Sequence, residues 1–161
     1  MLYLFYLCGF LLIYKGGDLM KKIIFVCTGN TCRSPMAEAL FNFYAKKADI
    51  PAAATSAGIF VTDRRVNKNS VLAMADYGID ISSQIPIQLK DYFAADADYI
   101  ITMTAAHKSY LIANGFSSAK VFTLAEMAGE TGDISDPYGL DLDEYKKTAA
   151  EINELVQKIR L

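Results

Sequence analysis

A cysteine and an arginine stand in the spacing Cys-x5-Arg within Val26-Cys27-Thr28-Gly29-Asn30-Thr31-Cys32-Arg33-Ser34. When such a loop leaves a strand and enters a helix N-terminus, its backbone N–H groups converge on one point. That point is a cradle for a tetrahedral oxyanion. Gly29 is expected to permit the tight backbone path, and Asn30 to take left-handed φ/ψ while its amide braces the loop. Arg33 supplies a planar, permanently charged fork that can grip two phosphoryl oxygens. Cys27 stands at the focus of these positive groups, which favour the thiolate, the nucleophilic form of the side chain. Ser34 can donate its hydroxyl to that thiolate and help it leave in a second step. Thr28, Thr31 and Cys32 complete the cradle. The chemistry implied is transfer of a phosphoryl group to sulfur, followed by hydrolysis. The Gly-x4-Gly-Lys-Ser/Thr pattern of nucleotide-binding loops is absent. The alternative is a buried structural cysteine followed by a solvated arginine.

The elements around the loop must hold it in place. Ile23-Ile24-Phe25-Val26 has the apolar, β-rich character of a buried parallel strand. A helix follows from Pro35 to about Ala48, with proline in the first turn, where its missing N–H costs nothing. A second strand spans Ala52–Ala57 and ends at Gly58; a helix over Asn67–Tyr77 is capped by Gly78. A third strand, Tyr99–Met103, leads to a helix over Ala105–Ala113 that stops near Gly115. Val121–Leu124 is a short fourth strand, and a polar loop through Asp133 and Asp136 precedes a final helix, Leu142–Ile159. Strands alternating with helices predict an α/β domain: a three-layer, doubly wound, flavodoxin-like fold around a four-stranded parallel sheet. Ligands bind such sheets beyond the carboxyl ends of the strands, where the Cys27 loop falls.

Composition narrows the class. The chain has 161 residues and suits one domain with a proper core. A net charge of −2 and the lack of any basic run give no case for nucleic acid. The cysteines, Cys8, Cys27 and Cys32, are odd in number and sparse, which points to a reducing cytoplasm rather than a secreted disulfide framework. No His/Cys/Asp cluster has metal-ligand spacing, and the chemistry requires neither metal nor cofactor. His107, the single histidine, lies beside Lys108 on a predicted helix and reads as a solvated surface residue.

Residues 1–19 form a separate question. Met1–Tyr14 is a continuous apolar run followed by Lys15-Gly16-Gly17-Asp18-Leu19. As a helix it would span about 21 Å, short of the roughly 30 Å hydrocarbon core. It lacks the positive start and small-residue cleavage site of a secretory signal. Lys-Gly-Gly can be encoded by a purine-rich ribosome-binding sequence, and Met20 follows at suitable spacing. The expectation is a start-site artefact over 1–19, with a single domain over 20–161 and no membrane attachment.

Val26–Ala39 also resembles the low-molecular-weight protein tyrosine phosphatase family. The resemblance continues through Ser56-Ala57-Gly58, Ala97-Asp98-Tyr99-Ile100 and Asp136-Pro137-Tyr138, covering about residues 21–160. It implies a four-stranded parallel sheet, a metal-independent reaction through cysteinyl phosphate, and a catalytic acid late in the chain that Asp136 matches. Read without the family, Asp136 is a turn residue before a proline, although a carboxyl so placed can be held rigidly over a nearby site.

The substrates implied are phosphorylated proteins. Typical tyrosine phosphatases of the family carry an aliphatic residue where this loop has Thr31, and the Thr-Gly-Asn-Thr form looks like the bacterial protein-arginine phosphatase branch. The tyrosine-specific members usually show two aromatics after Asp-Pro; here Tyr138 is followed by Gly139, which removes a wall for a phenyl ring. Tyr138 itself departs from the phenylalanine of the arginine branch. Phosphotyrosine hydrolysis is the alternative, with Thr31 as neutral variation. An arsenate reductase would need relay cysteines, and no cysteine follows Cys32. An inactive phosphate-binding module is opposed by the presence of Cys27, Arg33 and Asp136 together. Cys32 carries two readings: reversible disulfide formation with Cys27, or packing beneath the loop.

Overall fold

Ile23, Ile24, Phe25 and Val26 are all buried, which a strand achieves only when both faces of its sheet are covered. The computed structural model describes residues 2–7, 10–15, 20–90 and 94–161. Strands β1 (Leu2–Leu7) and β2 (Phe10–Lys15) pair antiparallel as a two-stranded sheet of their own. Strands β3 (Lys21–Cys27), β4 (Ala52–Gly58), β5 (Tyr99–Thr102) and β6 (Val121–Thr123) form a parallel sheet in the order β4-β3-β5-β6. The predicted four-stranded parallel α/β fold is therefore present. Register pairs Cys27 with Gly58 and Val26 with Thr102, so the carboxyl ends of β3, β4 and β5 open on one edge.

Helices α1 (Arg33–Lys47), α2 (Lys68–Ala75) and α5 (Leu142–Val156) cover one face. There Met36, Leu40, Met74, Tyr145 and Ile152 pack with Ile23 and Phe25. On the other face Ile24, Val26, Ile100 and Val121 pack against Leu111 of α3 (Ala105–Ala113) and against Ala94 and Ala97. The alternation of β3 residues between the two clusters is the period of two expected of a strand. Because β4 and β5 flank β3 on opposite sides, the chain reverses direction across the sheet at the end of β3. That reversal is the topological switch point where α/β sheets bind ligands.

Boundaries moved where capping decides them. Asn67 lies outside α2 as its N-cap, its side chain accepting from the Asn69 N–H at 2.8 Å. The predicted α2 ran on to Tyr77, but the helix ends at Ala75 and Gly78 takes φ +70° in the turn beyond. Leu124 was predicted to end a strand and instead opens a short helix, α4 (Leu124–Met127). Thr123 and Glu126 form a reciprocal capping box there, which satisfies helical N–H groups that a longer strand would leave in a ladder. Helix α5 stops at Val156 rather than Ile159.

Candidate active site

Everything from Asn30 to Ser34 is buried, and Cys27 is 3% exposed at the end of β3. The unusual backbone of this loop sits on Asn30, whose φ of +55° lies in the left-handed region. Its amide is fully engaged: Oδ1 accepts the Ile87 N–H at 2.8 Å, and Nδ2 donates to Ser34 Oγ and Ser56 Oγ, each at 2.9 Å. Ser56 Oγ in turn donates to Glu38 Oε2 at 2.6 Å. Ser34 Oγ accepts from Asn30, lies 3.0 Å from Cys27 Sγ, and makes a longer 3.5 Å contact in which it donates to Ala57 O. A single asparagine thus ties the loop, the nucleophile candidate and β4 together.

Gly29 requires correction. Its φ is not in the left-handed region, and an added Cβ would meet only ordinary contacts, Thr31 Oγ1 at 3.6 Å and Phe60 O at 3.9 Å. The close approach occurs at Gly58, where a Cβ would lie 2.7 Å from Thr28 O and 2.9 Å from Asn30 N. Ile59 and Phe60, just beyond Gly58, donate backbone N–H bonds to Cys27 O and Thr28 O at 3.0 and 2.8 Å. The end of β4 therefore carries the loop on its back.

Arg33 opens α1 and its side chain is 6% exposed, against 53% for Asp136. Its Nη1 donates to Ile134 O at 3.2 Å and its Nη2 to Asp136 Oδ2 at 2.7 Å. Asp136 Oδ1 accepts the Tyr138 N–H at 3.2 Å, closing a local turn that steadies the carboxylate. The late aspartate, distant in sequence, is thus brought to the arginine that closes the Cys27 loop. Tyr138 stands at its rim, 66% exposed, and Gly139 takes φ +80°, a conformation that a second aromatic would adopt only under strain.

Cys32 packs on the inner side of the loop. Its Sγ lies 3.3 Å from Tyr145 Oη and 3.5 Å from Thr31 Oγ1, and burial pushes its pKa up. Thr31 is held through its carbonyl, which accepts the Asn67 N–H at 2.9 Å and Ser70 Oγ at 3.2 Å.

His107 does not take the solvated position expected of it. It is half-buried rather than solvated, with Nε2 2.9 Å from Thr28 Oγ1. Phe60 and Tyr110, in a tilted edge contact at 5.7 Å between ring centroids, were missed as well. The available signal was topological: each follows the carboxyl end of a strand next to β3.

A buried cysteine at the mouth of a helix N-terminus, faced by a paired arginine and an aspartate, on a flavodoxin-like sheet, defines a cysteine-dependent phosphatase. The family model of the low molecular weight phosphotyrosine protein phosphatases matches residues 22–160, and the chain belongs to that family. It is 40% identical to a protein-arginine-phosphatase of Bacillus subtilis over 141 residues, 85% of this chain and 93% of the relative. It is 39% identical to the low molecular weight protein-tyrosine-phosphatase PtpB of Staphylococcus epidermidis over 140 residues, 86% of this chain and 96% of the relative. The crystal structure of a low molecular weight protein tyrosine phosphatase from T. tengcongensis superposes with a TM-score of 0.82 at 40% identity, covering 86% and 96% of the two chains. Relatives of both specificities stand at the same distance, so the substrate must be argued from the site.

Proposed function

We propose that the chain is a protein-arginine phosphatase of the cytoplasm in which Cys27 is the nucleophile. Cys27 Sγ attacks phosphorus in line, forming the S–P bond as the P–N bond breaks. The amides of Thr28 to Ser34 and the Arg33 guanidinium take the charge on the equatorial oxygens. Asp136 delivers a proton to the departing guanidine nitrogen. It then accepts one from the water that attacks the cysteinyl phosphate, and sulfur leaves as a thiolate toward the Ser34 hydroxyl. The Arg33–Asp136 pair at 2.7 Å supports this division of labour. When Arg33 turns to the phosphoryl oxygens, Asp136 is released toward the leaving group.

The observation that carries the substrate reading is Thr31. It is buried inside the loop, and among the described residues its hydroxyl makes one long 3.5 Å contact, with Cys32 Sγ, so the group keeps hydrogen-bonding capacity that a branched aliphatic would lack. A polar guanidinium gains from that hydroxyl; a phenyl ring does not. Phosphotyrosine is the second reading, favoured by the exposed faces of Phe60 and Tyr138, on which either a ring or a guanidinium plane can stack. Thr31→Ile is expected to shift the ratio of kcat/KM values toward phosphotyrosine peptides by about tenfold, the worth of one neutral hydrogen bond. An unchanged ratio would remove the basis for arginine.

For Cys32, packing against Tyr145 gains more support than a redox role, since burial disfavours its thiolate. Among the described residues no helix is long and apolar enough to cross a membrane.

A further inference from the structure

His107 lies in the first turn of α3, against the sheet face opposite α1, yet its ring reaches the phosphate loop. Both ring nitrogens are engaged. Nδ1 is 2.9 Å from Thr104 Oγ1, and Nε2 is 2.9 Å from Thr28 Oγ1. Thr104 is the N-cap of α3, and its Oγ1 also accepts the His107 backbone N–H at 3.1 Å. The ring is therefore fixed to its own helix cap at one edge and to the residue after Cys27 at the other. Thr28 is exposed, so water could serve its hydroxyl; a half-buried imidazole is a costly substitute unless orientation matters.

The first peptides of the loop are already held from the β4 side, where Ile59 and Phe60 donate to the carbonyls of Cys27 and Thr28. The His107 contact is the matching restraint from the β5 side, because α3 follows β5 directly. We propose that His107 is a positioning residue of the phosphate loop, holding the Thr28 hydroxyl so that the start of the cradle stays in register with Cys27. The inference rests on the phosphatase reading of Cys27–Ser34 and is independent of the arginine preference.

The charges facing the ring come from several elements. Arg33 of α1 opposes a positive imidazole, while Asp133 and Asp136 of the loop before α5 favour one. On α3 itself the neighbouring Lys108 is paired with Glu126 of α4. Burial, then Arg33, holds the pKa of His107 below its ordinary value, so the free enzyme carries a neutral ring at neutral pH. A phosphoryl dianion in the loop would offset Arg33 and raise the proton affinity of the ring. Phosphate binding is then linked to proton uptake at His107 and strengthens as pH falls toward the pKa of the free ring.

The test is a double-mutant cycle on the full chain with an aryl phosphate. His107→Ala and Thr28→Val should each lower kcat/KM about 3- to 10-fold, the loss of one hydrogen bond. The double variant should lose no more than the worse single one. His107→Gln, whose Nε2 can reach Thr28, should recover activity, and His107→Asn, whose amide matches the Nδ1 side, should not. Multiplicative losses, or equal activity of the Gln and Asn variants, would overturn the proposal. Because the chain has one histidine, its ring proton resonance can be titrated by NMR with and without saturating inorganic phosphate. A rise in its pKa on phosphate binding is expected, and an unmoved pKa counts against the link. An inactive wild-type enzyme would refute the phosphatase reading itself, while the titration still reports on His107.

Discussion

At the residue scale the site turns on how one strained asparagine is stabilised. A left-handed non-glycine residue costs of order 1–3 kcal/mol, and Asn30 offsets that cost by satisfying its whole amide inside the protein. Its partner Ser56 leans on Glu38, a carboxyl whose pKa burial pushes above its ordinary 4.5, with the Ser56 and Gln84 side chains acting in the other direction. The sign follows from linkage. A carboxyl whose folded pKa is raised is best tolerated when protonated, so its favourable share of stability is fully present below 4.5 and is lost as pH rises through the folded value. Glu38→Gln keeps an acceptor for Ser56 and removes the half-buried charge. Urea midpoints should therefore show the variant equal to wild type near pH 4 and more stable at pH 7.5. A variant less stable at pH 7.5 would mean that the carboxylate itself is needed to hold Ser56.

At the element scale, the function sits where three parallel strands end together. The end of β3 supplies Cys27, the end of β4 supports the loop from behind, and the end of β5 leads to His107. Gly58 is the closest packing point, since a Cβ there meets backbone atoms of Thr28 and Asn30 that have no rotamer to yield. Gly58→Ala is expected to cost about 1–3 kcal/mol of stability, as overpacking does, and to lower kcat/KM by displacing the loop. Gly29→Ala should leave stability within about 0.5 kcal/mol. Thermal melts of the two variants, with activity measured alongside, check both expectations.

What could be read in advance follows the same division. Cys27, Arg33 and the strand–loop–helix setting were legible because they are local: a fixed spacing between an apolar run and a proline-led helix. The helical turn at Leu124 was not, because Thr123 and Glu126 decide it by capping, against the apolar pattern. Glu38, Ser56 and His107 were hidden for a different reason. Their partners lie 18, 26 and 79 positions away, and only the assembled sheet brings them together. Asp136 was recognised from the family resemblance, since its own neighbourhood reads as a turn.

For the whole molecule, the family match over 22–160 and the four-stranded sheet that begins at Lys21 define the phosphatase unit. The β1–β2 sheet lies outside both, and we propose that residues 1–19 are dispensable for activity. In the proposed reaction Cys27, Arg33 and Asp136 remove phosphate from arginine, with Thr31 setting the preference. The most direct measurement is kcat/KM on matched phosphoarginine and phosphotyrosine peptides, using the full chain, the form beginning at Met20, and Cys27→Ser. Both active forms are expected to prefer phosphoarginine by at least about tenfold and Cys27→Ser to hydrolyse neither peptide; equal or greater activity on phosphotyrosine would rule out an arginine phosphatase.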